Sequence, residues 1–532
     1  MASYLPEQFD EAERARLAPF VTDVDGRVFG LVGLDEEVVA ALFARYSRTS
    51  RSLRRTLLEE FAPRVEDAVR AGVGRERTEA LLARVIGEYG DDSVAQLAVV
   101  HFAIEQIPAL LARRIERGRL AAYLEQSTRY VPLATRRSDG SWPAYVPDGL
   151  APRAARAYDE AIEASFRAYA AVLEAVEDHL AKLDPPADAP ARRAQRAAAL
   201  DAARGLLPLA VLTNVGVVAS AQAAERLVWR LRADATPGAS EVADEIARVL
   251  GVLVPGLTQR MDRPDRGGRM VEYLRETRGG VEVPWHWNTA IVEPSVRIVR
   301  ADEDAERRVA AWMLFERGEV DSVDQGLAAV EARGEEGLDA LFVAGVGHRA
   351  NRRHLPGRPF EAAVYELEIT CDIGAFRDLA RHRILTLLEP PLVPGRGFAL
   401  SDLVVDAGVA PLVLEHWERL GPLVASVVAE AGPSVGRLLL PFATQIRFAV
   451  VVNARELMHL VELRSQPQGH PVYRRIAIEA WRALEAVGHR RIAGAMEFVD
   501  TEGYTVGRLA AERRSEVRSM QSGRISGADP LS

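Results

Sequence analysis

One cysteine, Cys371, stands alone in 532 residues, which excludes an intramolecular disulfide and a cysteine-built zinc site and fits a reducing compartment. Its strand-like neighbourhood makes it a core residue rather than a nucleophile. No apolar run approaches the roughly 18 residues of a membrane span, and the opening Met-Ala-Ser-Tyr-Leu-Pro lacks a charged-then-apolar leader, so a cytoplasmic protein is expected. Positive charge is not in excess either. A net charge of -9 argues against binding nucleic-acid backbone, so clustered arginines must serve something local. No Rossmann fingerprint is present, and Gly345-Val346-Gly347-His348 and Gly395-Arg396-Gly397 are too short to cradle phosphate. No His-x-x-x-His or acidic cluster has metal-ligand spacing.

The chain does have length, and 532 residues with 48% hydrophobic composition predict more than one core. Its elements recur in order. A turn-rich segment (88–96, then 347–359) precedes an apolar passage (97–115) or an alternating strand (360–373), each leading into an Arg-x-Arg. Leu207-Pro208-Leu209 and Leu440-Pro441-Phe442 each open what reads as a long apolar helix, ending near 234 and 464. Residues 151–203, rich in Ala, Arg and Glu and interrupted by Asp184-Pro185-Pro186, read as a helical pair. Glycine- and proline-bearing residues 262–294 mark the break, where Trp285-His286-Trp287 reads as packing against a domain surface. The expected domains are 1–280, carrying the helical insertion, and 281–510. A polar tail, 511–532, is expected to be disordered.

Residues 117–130 read Arg-Gly-Arg-Leu-Ala-Ala-Tyr-Leu-Glu-Gln-Ser-Thr-Arg-Tyr, and residues 381–391 read Arg-His-Arg-Ile-Leu-Thr-Leu-Leu-Glu-Pro-Pro. Each places Glu six residues beyond its second Arg. Arg117, Arg119 and Arg129 offer planar forks suited to phosphate, while Glu125, Gln126 and Ser127 offer acceptors and donors for a base or sugar. Arg-x-Arg alone is usually a solvated helix face; its coupling to Glu-Gln-Ser-Thr-Arg-Tyr tips the reading toward a site.

Together the two stretches resemble the Arg-His-Arg, seven residues, Ser signature of flavin-dependent thymidylate synthases, as a tandem and diverged copy. The resemblance implies an α+β fold of two similar domains, each a small mixed sheet flanked by long helices. It places Glu125, Gln126, Ser127 and Arg129 where deoxyuridylate (dUMP) is held, with Arg117 and Arg119 touching nucleotide and flavin and with Ser47 and Arg232 on the cofactor side. Gly118 replaces the family histidine. In the second copy Arg381, His382 and Arg383 form an intact catalytic and flavin triad, and Glu361, a flavin-contacting position, stands 20 residues before it. Pro391 and Leu388 replace the motif serine and asparagine, and Pro356 replaces a histidine for which His354 could substitute. Arg447 and Arg474 match positions that clamp the nucleotide phosphate, and Arg464 matches a flavin contact. Asn214 and Ala243 lie near the first-copy positions of the two clamps.

The implied activity is reductive methylation of dUMP, with FAD as cofactor and methylenetetrahydrofolate and NADPH as co-substrates. Complementary losses imply composite sites between unlike halves, and a homodimer whose four domains mimic the family's tetramer. The alternative is a non-catalytic protein that binds nucleotide or flavin and regulates or partners a genuine synthase.

Overall fold

The computed structural model describes residues 7–25, 29, 31–36, 38, 39, 42, 52–61, 94–129, 131–278, 283–504 and 506–521. The chain is α+β with two small sheets. Strands β1 (Val99–Pro108), β2 (Ala121–Glu125) and β3 (Leu212–Ser220) lie in the order β1-β3-β2. Strands β4 (Ser295–Ala301), β5 (Val364–Asp372), β6 (Thr386–Leu388) and β7 (Gln445–Asn453) lie in the order β4-β5-β7-β6. The duplication is therefore topological. In both copies a long strand feeds a seven-residue helix, Ala109–Ile115 or Ile373–Leu379, and then a short strand; the third strand inserts between the first two and runs into a helix. β4 is an added edge.

The long apolar helices expected from residues 207 and 440 are instead strand followed by helix. Runs such as Val450-Val451-Val452 alternate inward and outward along β7, a period of two that favours a pleated strand over a helix. The switch is made by a cap. Ser220 accepts from the Ala223 amide to start helix Ala221–Arg232, and Asn453 accepts from the Glu456 amide to start helix Ala454–Arg464. β5 and β7 pair antiparallel over nine positions, from Val364 opposite Asn453 to Asp372 opposite Gln445. Their inward faces, Tyr365, Leu367, Ile369 and Cys371 against Phe448, Val450 and Val452, are buried. Each such large apolar side chain contributes about 1.5–3 kcal/mol.

Two compact units result; they share the boundary at 280/281, but residues 108–110 and 126–212, expected in the first domain, fall in the second unit. One comprises 1–107, 111–125 and 213–280; the other comprises 108–110, 126–212 and 281–532. The helical pair exists as Pro152–Leu183 and Ala189–Ala203, broken at Asp184-Pro185-Pro186, but it belongs to the second unit. There the first helix packs along helix Ala410–Ala431, with Arg419 donating to Glu160 at 2.8 Å. Trp287 packs at 4.8 Å on Trp417, whose carbonyl takes its indole N–H. The tail expected to be disordered begins as helix Leu509–Gln521, tied by Glu512 to Arg193 at 3.1 Å. Its Leu-Ala-Ala-Glu-Arg-Arg start is strongly helix-forming, a signal hidden by the Gly, Ser and Pro further on. Residues 522–532 lie outside the described residues. No helix among the described residues is long and apolar enough to cross a membrane.

Candidate functional site

In the second unit β5 ends at Asp372, whose carboxylate caps helix Ile373–Leu379 by accepting from the Ala375 amide at 2.8 Å. That helix presents Asp378 and delivers Arg381, His382 and Arg383 just beyond its end. His382 is buried between two side chains of helix Ala454–Arg464, eight residues apart and so on one face. Its Nε2 accepts from Arg464 Nε at 3.0 Å, which requires Nδ1 to carry the proton and donate to Glu456, also at 3.0 Å. Burial, reinforced by the Arg464 charge and opposed by Glu456, pushes the imidazole pKa down. The ring is thus a neutral spacer between cation and carboxylate.

Arg464 lies over the Tyr473 ring, 5.4 Å from its centroid, and the Tyr473 hydroxyl accepts from Arg129 at 3.2 Å. An arginine of the first motif therefore sits one ring away from the second motif's triad, within one unit. Arg129 donates Nε and Nη2 to the two oxygens of Asp201, at 2.6 and 2.5 Å, and Nη2 also reaches the Gln468 carbonyl at 3.2 Å. Arg204, buried, lies 4.0 Å from Asp201 and 3.7 Å from Asp378, which in turn lies 3.5 Å from the half-exposed Arg381. Burial alone would raise the Asp378 pKa; Arg204, with Arg381, Arg129 and Arg464, outweighs it and holds the carboxyl down to about 2. Asp201 is likewise lowered, Arg129 overcoming its burial. Four guanidinium groups thus surround two carboxylates, an excess of positive charge suited to a phosphate.

Beside them His470 caps helix Pro471–Ala486 through Nδ1 and points Nε2 at the Asp201 carbonyl, 3.4 Å away. Burial, then Arg204, lowers its pKa from 6.5 to about 3. The folded state keeps this ring neutral while the unfolded chain takes up a proton below 6.5, so its stability contribution is full above that pH and is lost as pH falls toward 3. The chain is expected to lose about 2 kcal/mol between pH 7 and pH 5 from this group. Urea unfolding at both pH values checks this: His470→Asn should flatten the dependence, and an unchanged slope would assign it elsewhere.

Other predicted residues lie apart from this cluster. Glu361, in the turn Arg358–Ala362, pairs with Arg455 at 3.6 Å. His354 does not stand in for the missing histidine, because its Nδ1 accepts from the Ala350 amide and its Nε2 meets Asn351, closing its own loop. Arg447 lies on the outer face of β7, donating to Thr370 Oγ1 at 3.1 Å with Glu368 at 3.8 Å. Arg474 is not poised as a phosphate clamp. It is buried and donates inward to the Ser465 carbonyl at 2.7 Å, Asp500 at 3.2 Å and the Glu502 carbonyl at 2.9 Å. Ser127 Oγ accepts from the Arg129 amide at 3.3 Å, and Gln126 is exposed beside it.

In the first unit Arg117 and Arg119 are exposed and Glu125 is buried at the end of β2, opposite Val215. A Cβ at Gly118 would run into the Tyr123 hydroxyl, so the space of the lost histidine is filled. Arg232 pairs with Asp244 at 2.8 Å and Asp262 at 2.7 Å. Counted from the first helical residues, Ala221 and Ala454, the counterpart of Arg464 is Leu231 rather than Arg232. Asn214 stands in the place of Arg447, and its Oδ1 accepts from the Gln106 amide at 2.8 Å. Gln106 has a φ of 55°, a strained value for a non-glycine residue, and that side-chain bond holds it. Ser47 lies outside the described residues.

Asp201, Arg204, Asp378, Glu456 and Tyr473 complete this candidate cluster, and motif reading missed them. One signal was available: Arg204-Gly-Leu-Leu-Pro and Arg437-Leu-Leu-Leu-Pro repeat, and each arginine opens a short 3-10 turn, Arg204–Leu206 or Arg437–Leu439.

A strand–helix–strand, strand–helix unit is used twice in this duplicated α+β chain, and in the second unit an arginine–carboxylate cluster stands at its helix ends. The thymidylate synthase complementing protein family matches residues 33–256 and 408–488, and the chain belongs to that family. The Arg381-His382-Arg383 triad falls outside both matched stretches. A UPF0159 protein of Chlamydia muridarum is 31% identical over 529 residues, covering 95% of this chain and 98% of the relative. A UPF0159 protein of Thermoplasma acidophilum is 28% identical over 90% of this chain and 98% of its own. A flavin-dependent thymidylate synthase of Pseudothermotoga lettingae is 27% identical over 146 residues, 24% of this chain and 65% of that protein. A crystal structure of the UMP/dUMP methylase PolB of Streptomyces cacaoi, bound with 5-Br dUMP, covers 38% of this chain and 95% of its own at 18% identity and a TM-score of 0.32.

Proposed function

We propose that the chain is a flavin-dependent methylase that converts dUMP to dTMP. The observation that carries this reading is the meeting of Arg129 from the first motif with the His382–Arg464 pair of the second, across Tyr473. The nucleotide phosphate is received by Arg129, Arg204, Arg381 and Arg464, with Gln126 and Ser127 beside them for the base and sugar. The residues fit FAD in one respect, since the cluster's excess of positive charge opens to solvent through Arg381 and suits a pyrophosphate. FAD, when bound, supplies hydride transfer from NADPH, and methylenetetrahydrofolate supplies the carbon. The protein's part is to hold anions, to keep water from them and to fix Arg464 by the neutral His382. A homodimer is the proposed assembly, and the cytoplasm the proposed location.

The visible absorption of the purified protein tests the cofactor. A flavin spectrum is expected, and His382→Gly should lose flavin whereas Arg119→Ala should keep it; the reverse pattern would move the flavin to the first copy. Tritium release from uracil C5, with folate and reduced flavin present, tests turnover. A second reading is favoured by the closed Arg129–Asp201 pair: a nucleotide-binding regulator that has lost catalysis. Background tritium release despite bound FAD and dUMP would establish that reading.

A further inference from the structure

Outside this cluster, a pocket of about 460 Å³ opens between the loop Ala350–Arg353 and the stretch Phe498–Asp500, with Gln466 on its wall. Its size is within the roughly 300–1,000 Å³ of small-ligand sites. Two consecutive arginines, Arg352 and Arg353, line it, and neither guanidinium has a hydrogen-bond or ion-pair partner among the described residues. Adjacent like charges left unpaired repel one another and are relieved by an anion.

The loop that carries them is fixed rather than pliant. Arg349, immediately before it, is buried and donates to both carboxylate oxygens of Glu462 at 2.7 and 2.6 Å, to the Ala495 carbonyl at 2.6 Å and to the His354 carbonyl at 2.5 Å. Asn351 Oδ1 accepts from the Arg353 amide at 2.9 Å, and the His354 amide donates to the Asn351 carbonyl at 3.0 Å, closing the turn. The two guanidinium groups are thereby presented from a preorganised backbone, which lowers the entropic cost of capture.

The remaining wall narrows the ligand. Asp500, the acid in the pocket, is neutralised by Arg474 at 3.2 Å and also accepts from the Glu502 amide and the Tyr504 hydroxyl, each at 3.1 Å. Gln466 donates its amide nitrogen to the Glu462 and Phe498 carbonyls, at 2.9 and 3.0 Å, which leaves its oxygen to accept from a hydroxyl or amino group. Arg349 lies over one face of the Phe498 ring, 5.1 Å from its centroid, and the ring forms an apolar wall of the pocket. We propose that this pocket binds a small phosphate-bearing metabolite, its phosphate forked between Arg352 and Arg353 and a hydroxyl or amino group on Gln466.

Calorimetric titration of the full chain with inorganic pyrophosphate tests the proposal, with tricarballylate as a phosphate-free polyanion. Titrated in the Arg129→Gln background, which disables the other anion cluster, pyrophosphate should still bind, and adding the double change Arg352→Ala and Arg353→Ala should weaken it at least tenfold. Single changes to Gln at each position, judged against an unaltered melting temperature, guard against a folding defect. Absence of pyrophosphate binding in that background, equal binding after the double change, or equal affinity for tricarballylate would each overturn it. Loss of dUMP turnover leaves this result unaffected, so the two readings fail separately.

Discussion

Arg349→Met is expected to destabilise the chain by about 3–5 kcal/mol, the cost of leaving a buried charge without its partner. Glu462 has no solvent exposure and Arg349 almost none, so neither water nor another cation can replace the lost guanidinium. The melting temperature should fall by about 10 °C, at roughly 2–4 °C per kcal/mol for a large domain. Adding Glu462→Leu should recover part of this loss, because a paired charge replaced by packed hydrophobes is often neutral. Thermal and urea unfolding of both variants decide it. A single-variant loss under about 1 kcal/mol would mean the pair is solvated on the timescale of unfolding.

The second large effect is a gain. Asp201 holds Arg129 through two hydrogen bonds, in the way a phosphate would, so under the proposed function the chain's own carboxylate would compete with a nucleotide for that fork. Asp201→Asn removes one negative charge from a buried cluster and should tighten dUMP binding roughly ten- to hundredfold, the worth of one charge-assisted contact of about 1.5–3 kcal/mol. It should also lower stability, since Arg129 then keeps only neutral partners. Calorimetry with dUMP on the folded variant measures the gain. Unchanged or weaker affinity would show that Asp201 supports the nucleotide site rather than competing for it.

The duplicated order of elements was legible because turns, apolar runs and Arg-x-Arg recur in one sequence. The strand–helix switches at Ser220 and Asn453 were not, since a continuous apolar run hides the point where a period of two becomes one of 3.6, and only a capping side chain marks it. His382, Arg464 and Arg129 were singled out by type and spacing, and the fold brings them into one cluster. Asp201 was not, because it lies within an alanine-rich helix and gains its meaning from Arg129, 72 residues earlier. Arg474 misled for the converse reason: spacing finds an arginine, but only the fold shows that the Ser465 and Glu502 carbonyls already take its donors.

Helix Pro152–Leu183 packs along helix Ala410–Ala431, which follows it by more than 200 residues. A ribosome that adds about 5–20 residues per second leaves the apolar stripe of that first helix waiting for on the order of 10–50 s. Through that interval Tyr158, Phe166, Tyr169 and Val172 have no helix Ala410–Ala431 to cover them. Slowing translation between residues 183 and 410 is therefore expected to lengthen the period in which the nascent chain can aggregate.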